Sequence, residues 1–167
     1  MKKIIVIGCP GAGKTTFSEK LCQRTGLPLF YLDAIWHKPD RTHIPREEFD
    51  LRLGELLAGE AWIIDGNYSR TLERRIAACD TVFLFDLPTE VCLAGVIDRI
   101  GKKRPDMPWI DKELAPDLKK QVEEFREINL PRIYSLLEKY REGRAVTVFR
   151  SRAEADEFLK RSGGTEK

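Results

Sequence analysis

The chain has 167 residues, of which 42% are hydrophobic and 34% charged, which is typical of one folded domain and excludes a disordered chain. Its 29 basic and 27 acidic residues give a net charge of +2, so no overall field favours a nucleic acid or a membrane as partner. No apolar run approaches the roughly 20 residues of a membrane span, and the start Met1-Lys2-Lys3 is unlike a signal peptide, so we expect a cytoplasmic protein.

The first predicted strand, residues 4–7, leads into a glycine-rich segment. Residues 8–15 read Gly-Cys-Pro-Gly-Ala-Gly-Lys-Thr and match the G-x-x-x-x-G-K-[ST] pattern of a Walker A phosphate-binding loop, here called the P-loop. Glycines let backbone N–H groups point into one concavity, and a helix predicted from Lys14 adds its positive N-terminal end. We expect Lys14 to contact the β- and γ-phosphates of ATP, and the Thr15 hydroxyl to bind Mg²⁺.

A second strand is predicted over residues 27–32, buried on both faces, and an aromatic loop over residues 34–39. The strand delivers Asp33, whose carboxylate would orient a substrate hydroxyl or accept its proton; capping of the next segment is the alternative. Trp36 either stacks on a base or ring of the substrate or packs at the rim. An amphipathic helix then begins near Pro45.

The third predicted strand, residues 62–64, ends at Asp65. A carboxylate beside a P-loop can hold the waters of a bound Mg²⁺ ion, so we expect Asp65 at the metal; a plain Asp65-Gly66 turn is the alternative. Tyr68 and Arg70 follow in the same segment. If the protein transfers a phosphoryl group from ATP, we expect the molecule that accepts it to contact six residues. These are Asp33, Trp36, Asp65, Gly66, Tyr68 and Arg70.

A fourth strand over residues 81–85 ends at Asp86, which we interpret mainly as a strand-end turn residue. The next helix, with Thr89 as a candidate cap, runs into a basic cluster that is followed by prolines. The cluster consists of Arg99, Lys102, Lys103 and Arg104. Such cations can close over a transferring phosphate and exclude water, although a solvated surface is the alternative.

The remaining chain predicts a long helix interrupted or bent at Pro131, a fifth strand over residues 145–149, and a last helix with a Ser151/Glu154 capping box before a polar tail from Ser162. Strands alternate with helices throughout, which predicts an open parallel sheet covered by helices on both faces. Ligands of such sheets lie at the carboxyl ends of the strands, where the P-loop and the aspartates fall.

Five segments together resemble the bacterial topology modulation proteins, also called FlaR-like, within the adenylate and shikimate kinase-like group of P-loop kinases. These are the P-loop, Tyr-Leu-Asp at 31–33, Trp-Ile-Ile-Asp-Gly-Asn-Tyr at 62–68, Phe-Leu-Phe-Asp-Leu-Pro at 83–88 and Arg-Pro-Asp at 104–106. The resemblance extends to about Leu159. It implies a three-layer α/β/α P-loop nucleoside triphosphate hydrolase fold with a five-stranded parallel sheet. It also implies one kinase-like domain over 1–167, a substrate-binding segment over about 34–60 and a short lid over about 99–116.

The resemblance also assigns roles to single residues. ATP phosphates and Mg²⁺ would be held by Gly8, Pro10, Gly11, Ala12, Gly13, Lys14, Thr15 and Thr16. Arg99 is similar in placement to the lid arginine that contacts the ATP base, and Arg104 to its phosphate-facing partner. The Asp-Gly pair at 65–66 resembles the D-G-F-P-R segment of adenylate kinases, but Phe-Pro is absent and Arg70 comes one residue later. Gln121 stands where the second lid arginine of the group belongs.

We therefore expect a kinase that transfers the γ-phosphoryl group of ATP·Mg²⁺ to a small-molecule or nucleotide acceptor, with Lys14, Asp33, Arg99 and Arg104 as catalytic residues. The alternative is a nucleotide-binding regulatory protein, linked to DNA topology as the family name suggests, with slow or no kinase activity. A small GTPase is disfavoured because the sequence lacks an Asn-Lys-x-Asp segment. No segment indicates direct nucleic-acid binding, membrane contact or a particular oligomeric state.

Overall fold

The computed structural model describes residues 1–162, in which a five-stranded parallel sheet has the strand order β2-β3-β1-β4-β5. The strands are β1 (Lys3–Gly8), β2 (Leu29–Tyr31), β3 (Trp62–Asp65), β4 (Thr81–Phe85) and β5 (Ala145–Phe149). The helices are α1 (Lys14–Thr25), α2 (Leu32–Trp36), α3 (Arg46–Ala58), α4 (Leu72–Ala78), α5 (Thr89–Asp98), α6 (Pro116–Glu124), α7 (Leu130–Lys139) and α8 (Arg152–Ser162). The predicted α/β/α P-loop fold is confirmed.

The central strand β1 positions the P-loop. Its apolar residues 4–7 are fully buried between β3 and β4. Val6 pairs with Asp65 and Gly8 pairs with Phe85. The P-loop and Asp65 therefore leave the sheet at the same carboxyl edge, which is where parallel sheets bind ligands.

Two local predictions for the second strand were wrong. β2 comprises only Leu29–Tyr31 and is half-buried, because it lies at the edge of the sheet and has a neighbour on one side only. The segment predicted as an aromatic loop begins as a short helix, α2, and Asp33 lies in its first turn. The Asp33 carboxylate is therefore positioned by α2 rather than by the end of a strand.

Helix α1 and helix α8 meet over the sheet in an aromatic cluster. The Phe17 ring of α1 lies 5.0 Å from Phe83 and 5.3 Å from Phe149, both in edge-to-face geometry. The predicted cap of α8 is present, since the Glu154 N–H donates to the Ser151 hydroxyl at 3.2 Å. The polar tail was predicted from Ser162, but Ser162 is the last residue of α8; residues 163–167 lie outside the described part of the chain.

The predicted interruption of the long helix is present next to Pro131. A π-helical turn, Phe125–Asn129, separates α6 from α7. Proline has no N–H to donate to the carbonyl four residues earlier, and a wider turn accommodates that loss. By contrast, Thr89 is not a cap: it is the first residue of α5, and Pro88 occupies the capping position. Within residues 1–162, none of the helices has the length and apolar character to cross a bilayer.

Candidate functional site

A cavity of about 1190 Å³ opens at the carboxyl edge of the sheet. Its walls are formed by the P-loop with the start of α1, by α2, by the loop after β3 and by the predicted lid, residues 99–116. The predicted site residues that line it are Pro10, Gly11, Gly13, Lys14, Thr15, Thr16, Asp33, Trp36, Asp65, Gly66, Tyr68, Arg99 and Arg104. Residues far apart in the chain thus share one concave site.

The P-loop curls because its glycines adopt positive φ angles, +141° at Gly8, +80° at Gly11 and +105° at Gly13. Gly13 is the N-cap of α1, and no side chain caps that end. The first N–H groups of the helix are therefore left for a ligand, and such an N-terminus favours an anion. Gly8 and Ala12 are buried and do not line the cavity.

Lys14 folds back over the loop that carries it. Its ammonium group donates to the carbonyl oxygen of Cys9 at 2.8 Å. Burial lowers the pKa of Lys14, while the nearby Asp65 carboxylate raises it in part. A phosphate group beside this ammonium would favour its charged form in the same way, which fits a phosphate-binding role.

Thr15 and Asp65 form a pair of oxygen donors beside the P-loop. The Thr15 hydroxyl donates to the Asp65 carboxylate at 2.9 Å, and Asp65 is only 5% exposed. Burial raises the pKa of Asp65 to about 7, against the lowering effect of Lys14. Hydroxyl and carboxylate oxygens suit Mg²⁺ when phosphates and water complete its coordination. In the part of the chain that the structure describes, no cluster of three His, Cys, Asp or Glu residues could hold a metal without such help.

Asn67, which the sequence analysis did not single out, ties the loop after β3 to the P-loop. Its side-chain oxygen accepts a hydrogen bond from the Gly8 N–H at 2.9 Å, and its amide group donates to the Gly8 carbonyl. The fully buried Arg75 holds this loop from behind by donating to the carbonyl groups of Gly66, Asn67 and Tyr68. Burial lowers the pKa of Arg75 to about 9, so it is still protonated at neutral pH.

Arg152, the first residue of α8, supports the outer side of the P-loop. It donates to the carbonyl groups of Gly11 at 2.8 Å and Ala12 at 3.3 Å. Helix α5 contacts the same place through Gly95, where an added Cβ atom would lie 2.0 Å from the Gly11 carbonyl oxygen. The P-loop is thus held by two helices that the motif does not contain. Arg152 and Gly95 are far from the P-loop in the sequence, so no local pattern indicates that they contact it.

Asp33 is fixed by the loop after β3. The Tyr68 hydroxyl donates to the Asp33 carboxylate at 2.7 Å, and Tyr68 itself has the uncommon left-handed φ of +33°. The Tyr68 ring stacks on Phe49 of α3 at 5.2 Å and meets Trp36 edge-on at 6.3 Å. Asp33, Trp36 and Tyr68 are therefore one contiguous group in the cavity wall.

The predicted lid adds both cations and carboxylates to the cavity. Arg104 contacts Asp106 at 3.4 Å and Asp111 at 3.2 Å. The Nε atom of Arg99 is buried without a hydrogen-bond partner, and burial followed by the nearby Arg104 lowers the pKa of Arg99. Trp109 packs edge-to-face on His37 of the opposite wall, at 5.0 Å. Through this contact, the predicted lid, which follows α5, reaches across the cavity to His37 at the end of α2.

Some residues with predicted roles lie elsewhere or make other contacts. Arg70 does not line the cavity; its guanidinium makes a two-point ion pair with the Asp50 carboxylate, at 2.7 and 2.9 Å, on the surface. Asp86 is held by Arg126, Arg150 and Tyr134 and does not line the cavity. Gln121 does line the cavity, so the position of the expected lid arginine faces the site without a charge.

Solved structures with the same fold include shikimate kinases. The enzyme from Acinetobacter baumannii in complex with shikimate has a TM-score of 0.60 and 19% identity, with 99% of this chain and 96% of that chain covered. The Bacteroides thetaiotaomicron enzyme has a TM-score of 0.57 and 14% identity, over 95% of this chain and 94% of that chain. For the Aquifex aeolicus enzyme the values are 0.56 and 21%, over 95% and 92%.

Neither a scan of protein-family models nor a search of curated proteins finds a match. At these identities the structural likeness shows the fold, a P-loop kinase fold, for nearly the whole chain.

Proposed function

We propose that the protein is an ATP-dependent phosphotransferase that transfers the γ-phosphoryl group to the hydroxyl of a small-molecule or nucleotide acceptor. The observation that carries the proposal is the shared cavity. It joins a complete P-loop to the Asp33 carboxylate on one wall and to Arg99 and Arg104 on another. Phosphoryl transfer needs these parts together, because its catalysis is mostly positioning and charge neutralisation. We also infer membership of the topology modulation (FlaR-like) group, from the five segments named above.

In the proposed reaction, the P-loop amides and Lys14 bind the β- and γ-phosphates. The acceptor hydroxyl attacks the γ-phosphorus, an oxygen–phosphorus bond forms, the bond to the β,γ-bridging oxygen breaks, and ADP leaves. Asp33 accepts the hydroxyl proton, and its hydrogen bond from Tyr68 fixes the direction of the carboxylate. Arg99, which lines the cavity, donates to the transferring group.

Mg²⁺ would be bound on the Thr15 and Asp65 side, where it neutralises phosphate charge. We assign residues 99–116 as the lid that excludes water, and residues 34–60 as the segment that binds the acceptor. Trp36 and Tyr68, which lie next to Asp33 in the cavity wall, would contact the acceptor.

The test of the proposal is phosphate transfer from labelled ATP to a panel of nucleoside monophosphates, nucleosides and small alcohols. Labelled product above the ATPase background supports the kinase. The nucleotide site is tested separately by Lys14→Met, which should abolish thermal stabilisation by ATP·Mg²⁺. Undiminished stabilisation of that variant would refute the assignment of the P-loop.

One observation favours the second candidate, a nucleotide-binding regulatory protein. Gln121 lines the cavity where a second lid arginine would serve a fast kinase. Tight ATP binding without transfer to any acceptor would be its signature.

A further inference from the structure

Two cysteines lie side by side behind the P-loop, and the proposed reaction uses neither of them. Cys9 belongs to the P-loop itself, and Cys92 lies in the first turn of α5. The Cys9 thiol donates a hydrogen bond to the Cys92 sulfur. All four cysteines of the chain are free thiols, so this pair is available for chemistry.

The segments that carry the two thiols are in direct contact. A Cβ atom added to Gly11 of the P-loop would lie 2.1 Å from the carbonyl oxygen of Cys92. The Cys9 sulfur lies 3.9 Å from the carbonyl oxygen of Val122 in α6, and the Cys92 sulfur lies 4.0 Å from that of Leu87. Both side chains are buried, with 3% and 0% exposure. The two sulfur atoms therefore face each other in a closely packed place.

Cations surround this pair of thiols. Lys14, Arg126 and Arg152 donate to carbonyl groups next to it, at 2.8, 3.1 and 2.8 Å. The hydrogen bond from Cys9 lowers the pKa of Cys92, and the three cations lower it further, against the effect of burial. The same hydrogen bond and burial raise the pKa of Cys9. Because the thiolate is the reactive form of cysteine, Cys92 is the nucleophile of the pair.

We propose that Cys9 and Cys92 are a redox pair whose reversible disulfide weakens nucleotide binding by the P-loop. This inference rests on the nucleotide site of the proposed function and adds a means of regulating that site. The oxidant is a hydroperoxide, and hydrogen peroxide is small enough to enter through a local opening of the P-loop.

The oxidation takes place in two steps. The Cys92 thiolate attacks one peroxide oxygen, the oxygen–oxygen bond breaks, and hydroxide leaves a sulfenic acid on Cys92. The Cys9 sulfur then attacks the Cys92 sulfur, and the Cys9 proton leaves with the hydroxyl group as water. The hydroxide of the first step takes up the proton that Cys92 lost on ionisation. Two thiols and one hydrogen peroxide thus give one disulfide and two water molecules.

The disulfide acts on the nucleotide through Lys14. A covalent bond brings the two sulfur atoms closer together than a hydrogen bond does. The P-loop cannot follow as a whole, because Gly11 already touches the Cys92 backbone, so Cys9 must move relative to the rest of the loop. The Cys9 carbonyl accepts the hydrogen bond of the Lys14 ammonium. Oxidation therefore displaces the partner that holds this phosphate-binding side chain.

The first experiment oxidises the folded protein with hydrogen peroxide. Peptide mapping by mass spectrometry should show Cys9 joined to Cys92. Calorimetric titration should give a Kd for ATP·Mg²⁺ about tenfold higher than that of the reduced protein, and dithiothreitol should restore the lower value. By linkage, saturating ATP·Mg²⁺ should decrease the disulfide fraction in a glutathione redox buffer. Absence of the Cys9–Cys92 bridge, or an equal Kd in both states, overturns this inference.

The same measurements separate this inference from the proposed function. Absence of ATP binding by the reduced protein would refute the nucleotide site, and the regulation of that site with it. Binding by the reduced protein that peroxide leaves unchanged would refute the regulation alone.

Single cysteine variants supply the controls. Cys92→Ser keeps a small side chain at the buried position, and its ATP affinity should not respond to peroxide. Cys22→Ser removes a thiol of α1 outside the pair and should respond as the wild type does. Cys9→Ser tests the other member of the pair, and thermal unfolding checks that each variant is folded. A peroxide response that persists in both Cys9→Ser and Cys92→Ser would assign the effect to another group and contradict the pair.

Discussion

At the scale of single residues, the P-loop depends on a side chain outside its motif. Asn67 pairs with both the N–H and the C=O of Gly8, as a neighbouring strand would. Asn67→Ala leaves these buried groups without a partner, so we expect a loss of about 1–3 kcal/mol in the free energy of unfolding. ATP affinity should fall as well. Urea unfolding and a binding titration measure the two effects, with Ser69→Ala as control.

Asp65 makes a prediction about pH. Burial raises the pKa of Asp65 to about 7, above the value of about 3.9 expected when unfolded. The folded chain therefore holds a proton that the unfolded chain releases, and this contribution to stability is lost as pH rises through about 7. Metal-free wild type should lose stability relative to Asp65→Asn between about pH 5 and 7.5.

The buried ammonium of Lys14 complicates that comparison, because burial lowers the pKa of Lys14 and its effect on stability has the opposite sign. The cleaner measurement therefore uses Lys14→Met as background for both proteins. Urea unfolding at the two pH values is the readout. Parallel pH dependences with and without the Asp65 carboxyl would show that it titrates normally.

The sequence predicts the site residues that follow a recognisable element, and it does not predict contacts between residues far apart in the chain. The P-loop, Asp33 and Asp65 could be selected because each follows a strand, and the topology gathers strand ends. Asn67 and Arg152 could not be selected, because each acts through hydrogen bonds to backbone groups far away in the chain. The unpartnered Oδ1 atom of Asp106 could not be selected either, because only the folded structure shows that it is buried. Arg70 was expected at the acceptor, but nothing in its neighbours along the chain indicates the ion pair with Asp50.

At the scale of elements, α5 and the P-loop touch backbone to backbone. A Cβ at position 95 would lie 2.0 Å from the Gly11 carbonyl oxygen and 2.6 Å from the Arg152 guanidinium. Gly95→Ala must therefore push the loop away, and we expect a loss of about 1–3 kcal/mol in stability together with weaker ATP binding. Gly54→Ala in α3 is the control, since its Cβ would meet only the flexible end of Arg74. Comparable ATP affinities of the two variants would rule out the contact as a determinant.

At the same scale, sequence patterns predict an element well when its own apolar residues repeat with the period of a helix or a strand. Strands β1 and β4 were predicted nearly to their ends, and the starts of helices α1 and α3 were predicted to within one residue. The ends of β2 and the presence of α2 were mistaken because residues 27–32 are almost all apolar or aromatic and fit a buried strand. The structure ends the strand at Tyr31 and begins α2 at Leu32.

At the scale of the molecule, the Trp109 ring of the predicted lid packs on His37 at 5.0 Å and lies under the Arg41 guanidinium at 5.5 Å. Trp109 thereby forms a contact between the predicted lid and the proposed acceptor segment. Trp109→Ala removes it and should favour an open lid, so the share of ATP lost to water should rise by roughly two- to tenfold, from an aromatic pair worth about 0.5–1.5 kcal/mol. Trp109→Phe keeps a ring there and should behave nearly as wild type. The ratio of free phosphate to phosphorylated acceptor gives the answer; an unchanged ratio in Trp109→Ala would argue against closure through this contact.

The hydrogen bond from Arg152 to the Gly11 carbonyl spans 141 positions of the chain. A ribosome makes the P-loop well before Arg152, so a growing chain displays the motif long before the guanidinium that supports it exists. We therefore expect nucleotide binding to be complete only after α8 has been synthesised and has packed against α1.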